Sequence, residues 1–161
     1  MPEPFYGLRF VLLGLIIASN GFFAAAEVSL LTARPSRLRQ LADEGHHGAQ
    51  AALNLLANPE RLLSVVQVGV TLASLGLGWA GQDTVFALLA GALGPVVPYV
   101  GPGVLHGFSF VISFLLMTYA HVVLGEVVPK NLAIGRAERL ATAVAPLLLV
   151  FYRLSGPLVD A

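Results

Sequence analysis

The sequence predicts an all-α integral membrane domain, with three transmembrane helices and further helices on the cytoplasmic side. Composition gives the first reason: hydrophobic residues make up 57% of the 161 residues and charged residues 11%, against roughly 45–50% and about 25% in soluble domains. Long charge-free stretches give the second, because about 20 apolar residues suffice to cross a bilayer. The uneven placement of Lys and Arg around those stretches gives the third.

The same composition excludes several classes of protein. A surface this poor in charge would not stay in solution, and a chain with this much apolar surface to bury would not remain disordered. Nine Lys and Arg balance nine Asp and Glu, so no basic surface is available for nucleic acid. The chain has no Cys, which excludes disulfides, thiolate metal sites and cysteine nucleophiles.

Charged residues and Pro–Gly pairs divide the chain into three predicted spans and their connections. The first span ends at Arg34-Pro35, and the second follows a helix start at Asn58-Pro59, with Asn58 as the cap. The predicted segments are spans at 8–33, 61–81 and 104–128, a polar segment at 34–60, a short helix at 84–93, a loop at 94–103 and a juxtamembrane helix at 136–156. The alternative for the first span is a signal peptide cleaved after its alanines 24–26, although the helical pattern continues beyond them.

Positive charge predicts how the spans are oriented. Four Arg lie between the first and second spans, and one Lys and three Arg follow the third, whereas the loop between the second and third spans has none. Because cytoplasmic loops carry the excess of Lys and Arg, we expect the N-terminus outside and the C-terminus in the cytoplasm, across the inner (plasma) membrane. Arg9 is the one exception.

Two carboxylates, Glu27 and Glu126, lie inside predicted spans near their cytoplasmic ends. An ionisable side chain there is costly without a partner, which makes each a functional-site candidate. Each also has an ordinary alternative, because Glu126 could pair with Lys130 one helical turn on, and Glu27 could reach toward Arg34. For either carboxylate alone, the functional interpretation and the ion-pair interpretation have equal weight. Asn20 lies on the same helical face as Glu27.

Polar groups of the second span are expected at the same depth, where Thr71 and Ser74 share a helical face. Carboxylate, hydroxyl, amide and backbone oxygens without thiolates suit a hard divalent cation such as Mg2+, which needs six oxygens at about 2.1 Å. Carbonyls could come from opened helix, because Gly69 weakens one helix and Pro129 deprives the Gly125 carbonyl of its helical donor. Thr71 and Ser74 could equally serve only to pack the helices.

Three motifs resemble those of one known family. They are the run from Asn20 to Leu30, the turn from Asn58 to Arg61, and the run from Leu124 to Lys130 with its Gly-Glu-x-x-Pro pattern. Together they resemble the transmembrane domain of the CorC and cyclin M (CNNM) magnesium transporters, and the resemblance covers essentially the whole chain. It implies a homodimer in the lipid bilayer that exports Mg2+, with Na+ as the proposed counter-ion. It also implies a nucleotide-binding cytoplasmic CBS-pair module in full-length relatives, with residues 1–161 forming the membrane domain alone.

The resemblance also implies the cation site, residue by residue. The family's positions correspond to Ala24, Glu27, Gly69, Val70, Thr71, Ser74, Gly125 and Glu126. Ala24 and Val70 can contribute only backbone carbonyls, where animal relatives tend to have Ser and Asn. Glu27 adds a charge where those relatives tend to have Asn, which leaves the ligand set and the coupling ion open.

The sequence therefore predicts a membrane transporter of Mg2+ rather than an enzyme. An intramembrane enzyme would need a nucleophile beside a base, and Ser113 and His121 lie about 12 Å apart along one helix. The other alternative is an anchor that holds a cytoplasmic module at the membrane without transporting an ion. Such an anchor would need no carboxylates inside the membrane.

Overall fold

The computed structural model of the protein describes residues 6–96, 99 and 101–159. Over these residues the chain forms helices and no strands, so the all-α prediction is confirmed. The helices are α1 (Tyr6–Thr32), α2 (Pro35–Asp43), α3 (His47–Leu56), α4 (Pro59–Leu93), α5 (Pro102–Val122), α6 (Val128–Gly135) and α7 (Ala137–Val159), with a 3₁₀ turn at Gly94–Val96 and a π-helical turn at Val123–Val127. Parts of the predicted 94–103 loop and both ends of the predicted 1–161 domain lie outside the described residues.

Three stretches of helix are long and apolar enough to cross a membrane: Gly7–Thr32, Pro59–Leu93 and Pro102–Gly135. The protein is therefore a multi-pass membrane protein, as predicted. α1 packs along α4, and α4 packs along α5. α1 meets the third span at the π-helical turn and α6, so all three spans come together near that turn.

α1 runs without interruption to Thr32 and stops just before a proline. Arg34 is extended, with φ −76° and ψ 120°, because the residue before a proline is disfavoured in helical geometry. Pro35 then begins α2 at the position where its missing N–H costs nothing. α1 passes straight through alanines 24–26, and Ala24 and Ala26 are buried. This stretch is thus an integral part of the bundle.

α4 begins where the sequence predicted and continues further than expected. The Asn58 side chain accepts a hydrogen bond from the backbone N–H of Arg61 at 3.2 Å, so its predicted capping role is confirmed. One helix of 35 residues replaces the predicted span at 61–81 and separate short helix at 84–93. α4 continues through Asp83, an exposed acid that lines a cavity at the helix surface together with Arg9. At about 1.5 Å per residue, α4 is longer than the hydrocarbon core of a bilayer is thick.

The largest buried cluster lies at the end of the bundle that carries α2 and α3. α7 contributes a buried stripe at helical spacing, namely Ala137, Ala141, Ala145 and Leu148. The three alanines are small, so they let α7 pack closely against α1 and α3. Gly48 of α3 lies so close to the backbone carbonyl of Thr142 in α7 that an added Cβ would overlap it. The polar segment 34–60 thus forms α2 and α3, which close this end of the bundle together with α7.

The third span changes its pitch near its end. Val123–Val127 forms a π-helical turn, in which the backbone N–H of Val128 donates to the carbonyl of Val123, five residues back. Pro129 follows and has no N–H with which to continue the ordinary pattern. The sequence indicated that the helix could open at Gly125. In the structure the chain stays helical there, and its turn contains one residue more than an ordinary α-helical turn.

Gly69 makes room for an aromatic ring and leaves α4 regular, although the sequence indicated that the helix could open there too. A Cβ built on this buried glycine would lie 2.5 Å from the ring of Phe23 in α1. Phe23 packs in turn on Phe151 of α7, with ring centroids 4.9 Å apart. The glycine therefore sets how closely α1 crosses α4.

Candidate cation site

A cavity of about 270 Å³ lies where α1, α4 and the π-helical turn meet. Five of the eight residues that the family resemblance implied line it: Ala24, Glu27, Val70, Thr71 and Glu126. Four further residues complete its wall: Asn20, Val66, Gln67 and Lys130. The structure thus brings both intramembrane carboxylates into one cavity, together with the hydroxyl and amide groups expected at their depth.

The other three implied residues lie outside that cavity. Gly69 faces Phe23, as described above. Ser74 lines a neighbouring cavity of about 180 Å³ between α4 and α5. Gly125 is buried in the π-helical turn, and its carbonyl accepts a hydrogen bond from the Asn20 amide at 2.9 Å.

Lys130 connects the two carboxylates. Its Nζ lies 2.9 Å from Oε1 of Glu126 and 3.4 Å from Oε2 of Glu27. The first contact is the one-turn ion pair that the sequence left open as an alternative for Glu126. The corresponding alternative for Glu27 does not occur, because Arg34 pairs instead with Glu138 of α7 at 3.1 Å. Two carboxylates and one ammonium leave this group with one net negative charge.

None of these three charged side chains is fully buried. The side chain of Glu27 is 27% exposed, that of Lys130 34% and that of Glu126 44%. An ion could therefore reach the carboxylates without the bundle being unpacked.

Asn20 organises the wall of the cavity from α1. Its Nδ2 donates to the Gly125 carbonyl and also lies 3.0 Å from Nε2 of His121, and Oγ of Ser74 lies 3.3 Å from the same nitrogen. Because an amide N–H can only donate, this network assigns Nε2 of His121 as an acceptor and its proton to Nδ1. Asn20 is 1% exposed, so its amide is shielded from solvent.

The other end of the Asn20 amide is a hydrogen-bond acceptor that accepts no hydrogen bond from the described residues. Oδ1 is buried and has no hydrogen-bond partner among the residues that the structure describes. Buried acceptors of this kind are uncommon and call for an explanation such as a water or an ion. The family resemblance had not included Asn20 in the site. The signal for it was its spacing, four and seven residues before Ala24 and Glu27 on one helical face.

Ser74 and His121 form a serine–histidine contact that the sequence had not suggested. The serine considered there, Ser113, donates instead to the Phe110 carbonyl of its own helix at 2.9 Å. A catalytic base must be able to take the proton of its nucleophile. Nε2 of His121 lies beside both Ser74 and the Asn20 amide, so this contact joins α1, α4 and α5.

The donors around the cavity suit a cation that prefers oxygen. In the part of the chain that the structure describes, no three His, Asp or Glu side chains come together as a metal site. The available donors are two carboxylates, the Gln67 amide, the Thr71 hydroxyl and backbone carbonyls. Oxygens of these types are the ligands of Mg2+, Ca2+ and similar hard cations.

Fold and site together define a multi-pass membrane protein with a charged, oxygen-rich cavity among its spans. Comparison with known families gives the relationship, because the model of the cyclin M transmembrane N-terminal domain matches residues 10–160. The chain therefore belongs to the cyclin M (CNNM) transmembrane domain family, as its motifs indicated.

Curated relatives support the same relationship. The chain is 36% identical to the UPF0053 protein YhdP of Bacillus subtilis over 154 residues, which are 94% of this chain and 34% of that protein. It is 39% identical to an uncharacterised protein of Mycobacterium tuberculosis over 145 residues, 90% of this chain and 40% of the other. It is 29% identical to the UPF0053 inner membrane protein YfjD of Escherichia coli, over 87% of this chain and 29% of the other. The chain thus spans about a third of the length of these relatives.

Proposed function

We propose that this domain transports Mg2+ across the membrane, exporting it from the cytoplasm with Na+ as the coupled counter-ion. One observation carries the proposal: Glu27 and Glu126, from two different spans, are turned into one cavity and hold one cationic group between them. Carboxylates inside a membrane are expensive, and they mark ion pathways more often than packing contacts. Two formal negative charges match one divalent cation.

The proposed ligands are Glu126, Ser74 and carbonyls near Ala24, Gly69 and Gly125, with Glu27, Val70 and Thr71 beside the ion. In the observed conformation Ser74 and the Gly125 carbonyl are held by the His121–Asn20 network. Binding of the ion by this full set therefore requires the network to rearrange. The Thr71 hydroxyl and the Gln67 amide line the same cavity as the two carboxylates without that rearrangement.

The surroundings of the site follow from the same proposal. The end of the bundle that carries α2, α3 and α7 faces the cytoplasm of an inner (plasma) membrane, with the N-terminus outside, and two copies form a homodimer. Apolar side chains on the outer face of α4 stay exposed in the single chain, where Leu75 is 66% and Trp79 83% exposed. Lipid or the second copy covers them. Cytoplasmic CBS-pair domains belong to the full-length protein in this proposal.

A membrane anchor without transport is the second candidate, and a specific contact favours it. Lys130 pairs with Glu126 at helical spacing, so the carboxylate already has a partner that needs no metal. An anchor of this kind predicts no saturable binding of Mg2+. It also predicts that removing either partner of the pair leaves the behaviour toward Mg2+ unchanged.

Calorimetric titration of the purified protein with Mg2+ in detergent separates the two candidates. Breaking a desolvated charge pair typically costs about 3–5 kcal/mol, and even half the lower figure is about tenfold in affinity. Glu126→Gln should therefore weaken Mg2+ binding at least tenfold. Glu126→Asp should do nearly as much harm, because octahedral Mg2+ at about 2.1 Å tolerates little retraction of a ligand.

Glu60→Gln is the matched control, since it removes an exposed carboxylate outside the cavity, in the first turn of α4. It should leave the titration unchanged. Identical titration curves for the wild type and Glu126→Gln, with both proteins monodisperse by size exclusion, would contradict the proposed site. Proteoliposomes with a Mg2+-sensitive dye then test the direction, because efflux should follow an imposed Na+ gradient.

A further inference from the structure

Lys130 is the one lysine of the chain, whose other eight basic residues are arginines. Its ammonium lies between the two intramembrane carboxylates, 2.9 Å from Glu126 and 3.4 Å from Glu27. The ammonium therefore lies where a cation bound to both carboxylates would lie. Arginine at this place would offer a planar group that holds carboxylates by two bonds, whereas lysine offers a compact charge on a flexible stem.

We propose that Lys130 is a tethered counter-cation, which pairs with Glu27 and Glu126 and is displaced when Mg2+ binds. This inference rests on the proposed function, since it concerns the same cavity. It assigns to Lys130 a role in the affinity and release of the ion, and that role is separate from any contribution to the fold.

Charge balance supports displacement over shared occupancy. The two carboxylates and the ammonium sum to one negative charge, so Mg2+ added beside the ammonium would leave a net positive group with two cations in close contact. If the ammonium leaves, the two carboxylates neutralise the divalent ion. The Lys130 side chain is 34% exposed, so packing leaves its flexible stem room to turn the ammonium away from the carboxylates.

The return of the ammonium has a consequence for transport. When the ion leaves, Lys130 can pair again with Glu27 and Glu126, so the empty cavity never holds two unpaired carboxylates. A competitor fixed to the protein lowers the affinity for the ion and helps to release it. Tight binding and fast release are opposing demands on any transporter, and Lys130 sets the balance between them.

The first test compares Mg2+ affinity by calorimetry in detergent across three variants of the whole chain. Lys130→Gln removes the competitor and should tighten Mg2+ binding by about tenfold or more. Lys130→Arg keeps the positive charge and should bind no more tightly than the wild type. Arg136→Gln is the control for general electrostatics, because it removes an exposed cation just beyond α6. It should change the affinity less than twofold.

The second test follows the ammonium directly in the wild-type protein. Because Lys130 is the only lysine, an amine-acylating reagent reports on it alone apart from the N-terminal amine, and mass spectrometry of the peptides separates the two. Saturating Mg2+ should increase the rate at which Lys130 is acylated several-fold. A role in folding alone would leave that rate unchanged.

The outcomes separate this inference from the proposed function. Weaker or unchanged Mg2+ binding in Lys130→Gln, or an acylation rate that Mg2+ does not raise, overturns the tethered counter-cation while the transport proposal stands. Absence of saturable Mg2+ binding in the wild type overturns both. If Lys130→Gln does not fold, the acylation rate of the wild type with and without Mg2+ still decides the question.

Discussion

Asn20 supports the π-helical turn from a neighbouring helix. Its buried amide donates to the Gly125 carbonyl at 2.9 Å, and Asn20→Asp would keep the shape but replace this donor by an acceptor. Leaving a buried carbonyl without a donor costs about 1–3 kcal/mol, so we expect a lower thermal midpoint in detergent. Fluorescence-detected size exclusion after heating measures it.

Gln50→Glu makes the same amide-to-acid change at an exposed position. The Gln50 amide donates to Asn54 on the surface of α3, where a substitution usually changes stability by less than about 0.5 kcal/mol. If Asn20→Asp and Gln50→Glu lower the thermal midpoint equally, the buried hydrogen bond of Asn20 does not support the π-helical turn.

Single residues of the site could be predicted from the sequence to different degrees. Glu27 and Glu126 stood out because each is a charge within an apolar run, and the pair of Glu126 with Lys130 follows from helical spacing. The contact of Lys130 with Glu27 could not be predicted in this way, because it joins residues 103 positions apart through the packing of two helices. Asn20 shares the face of Glu27, but its sequence context does not reveal the carbonyl that it satisfies.

The close crossing of α3 and α7 depends on Gly48. An added Cβ would overlap the backbone carbonyl of Thr142, and backbone cannot move aside as a flexible side chain can. Gly48→Ala should therefore destabilise the protein by about 1–3 kcal/mol, the usual cost of overpacking. A fall in the thermal midpoint in detergent is the measurement.

Gly78→Ala is the matched control for Gly48→Ala. Gly78 lies in the middle of α4, and nothing lies within 4 Å of a Cβ built on it. Alanine is the better helix former, by about 1 kcal/mol, so this variant should be as stable as the wild type or more stable. The interpretation of the α3–α7 contact fails if Gly48→Ala is tolerated equally well.

The ion pair of Arg34 with Glu138 links the start of α2 to α7 and predicts a pH dependence. The pKa of Glu138 is lowered first by a hydrogen bond to its own backbone N–H and then by the Arg34 guanidinium. A lowered pKa in the folded state stabilises the fold above the unfolded-state pKa, about 4.3. This stabilisation is lost as the pH falls through the folded-state pKa.

Glu138→Gln should accordingly lower the thermal midpoint at pH 7 by only about 1–3 °C, since the pair is exposed. The difference from the wild type should shrink as the pH is lowered below about 4. Asp43→Asn, at the exposed end of α2, is the control. A difference that grows toward acid pH would have the wrong sign for this mechanism.

Helix ends were predictable where the local chemistry is strong. Asn58 caps α4 and Pro35 starts α2 because capping and proline geometry act within a few residues. The extension of α4 beyond residue 81 was not predictable, because a charge such as Asp83 ends an apolar stretch without ending the helix that carries it. The π-helical turn was predictable in part. Pro129 shows that one backbone hydrogen bond of the helix must be missing, but it does not show which helical geometry accommodates that loss.

The orientation of the whole molecule is a prediction that single cysteines can test. The chain has no Cys, so Glu44→Cys at the end of α2 and Tyr99→Cys, which is 86% exposed in the wild type, can be labelled one at a time. In intact cells, a membrane-impermeant maleimide should modify the cysteine at position 99 and not the one at position 44. The reverse pattern would contradict the positive-inside assignment.

For the molecule as a whole, the number of spans was predictable and the location of its core was not. A membrane span is recognised by the length of an apolar stretch and by its lack of charged residues, and neither depends on how the other helices pack. The main buried cluster, by contrast, depends on α7 lying against α1 and α3 through three alanines. Alanine is common in exposed and buried helices alike, so its spacing alone does not identify what packs on it.

The π-helical turn can also be described in genetic terms. His121 and Glu126 are five codons apart, and in an ordinary helix five residues advance about 500°, which would turn the two side chains to different sides. A turn closed over five residues returns them to nearly the same side, as four residues would in an ordinary helix. A reading frame that lost the codon of Leu124 would therefore still encode a helix with both side chains on one side. Such a deletion would remove the widened ring of carbonyls beside Glu126, and with it the place of the Gly125 carbonyl opposite Asn20.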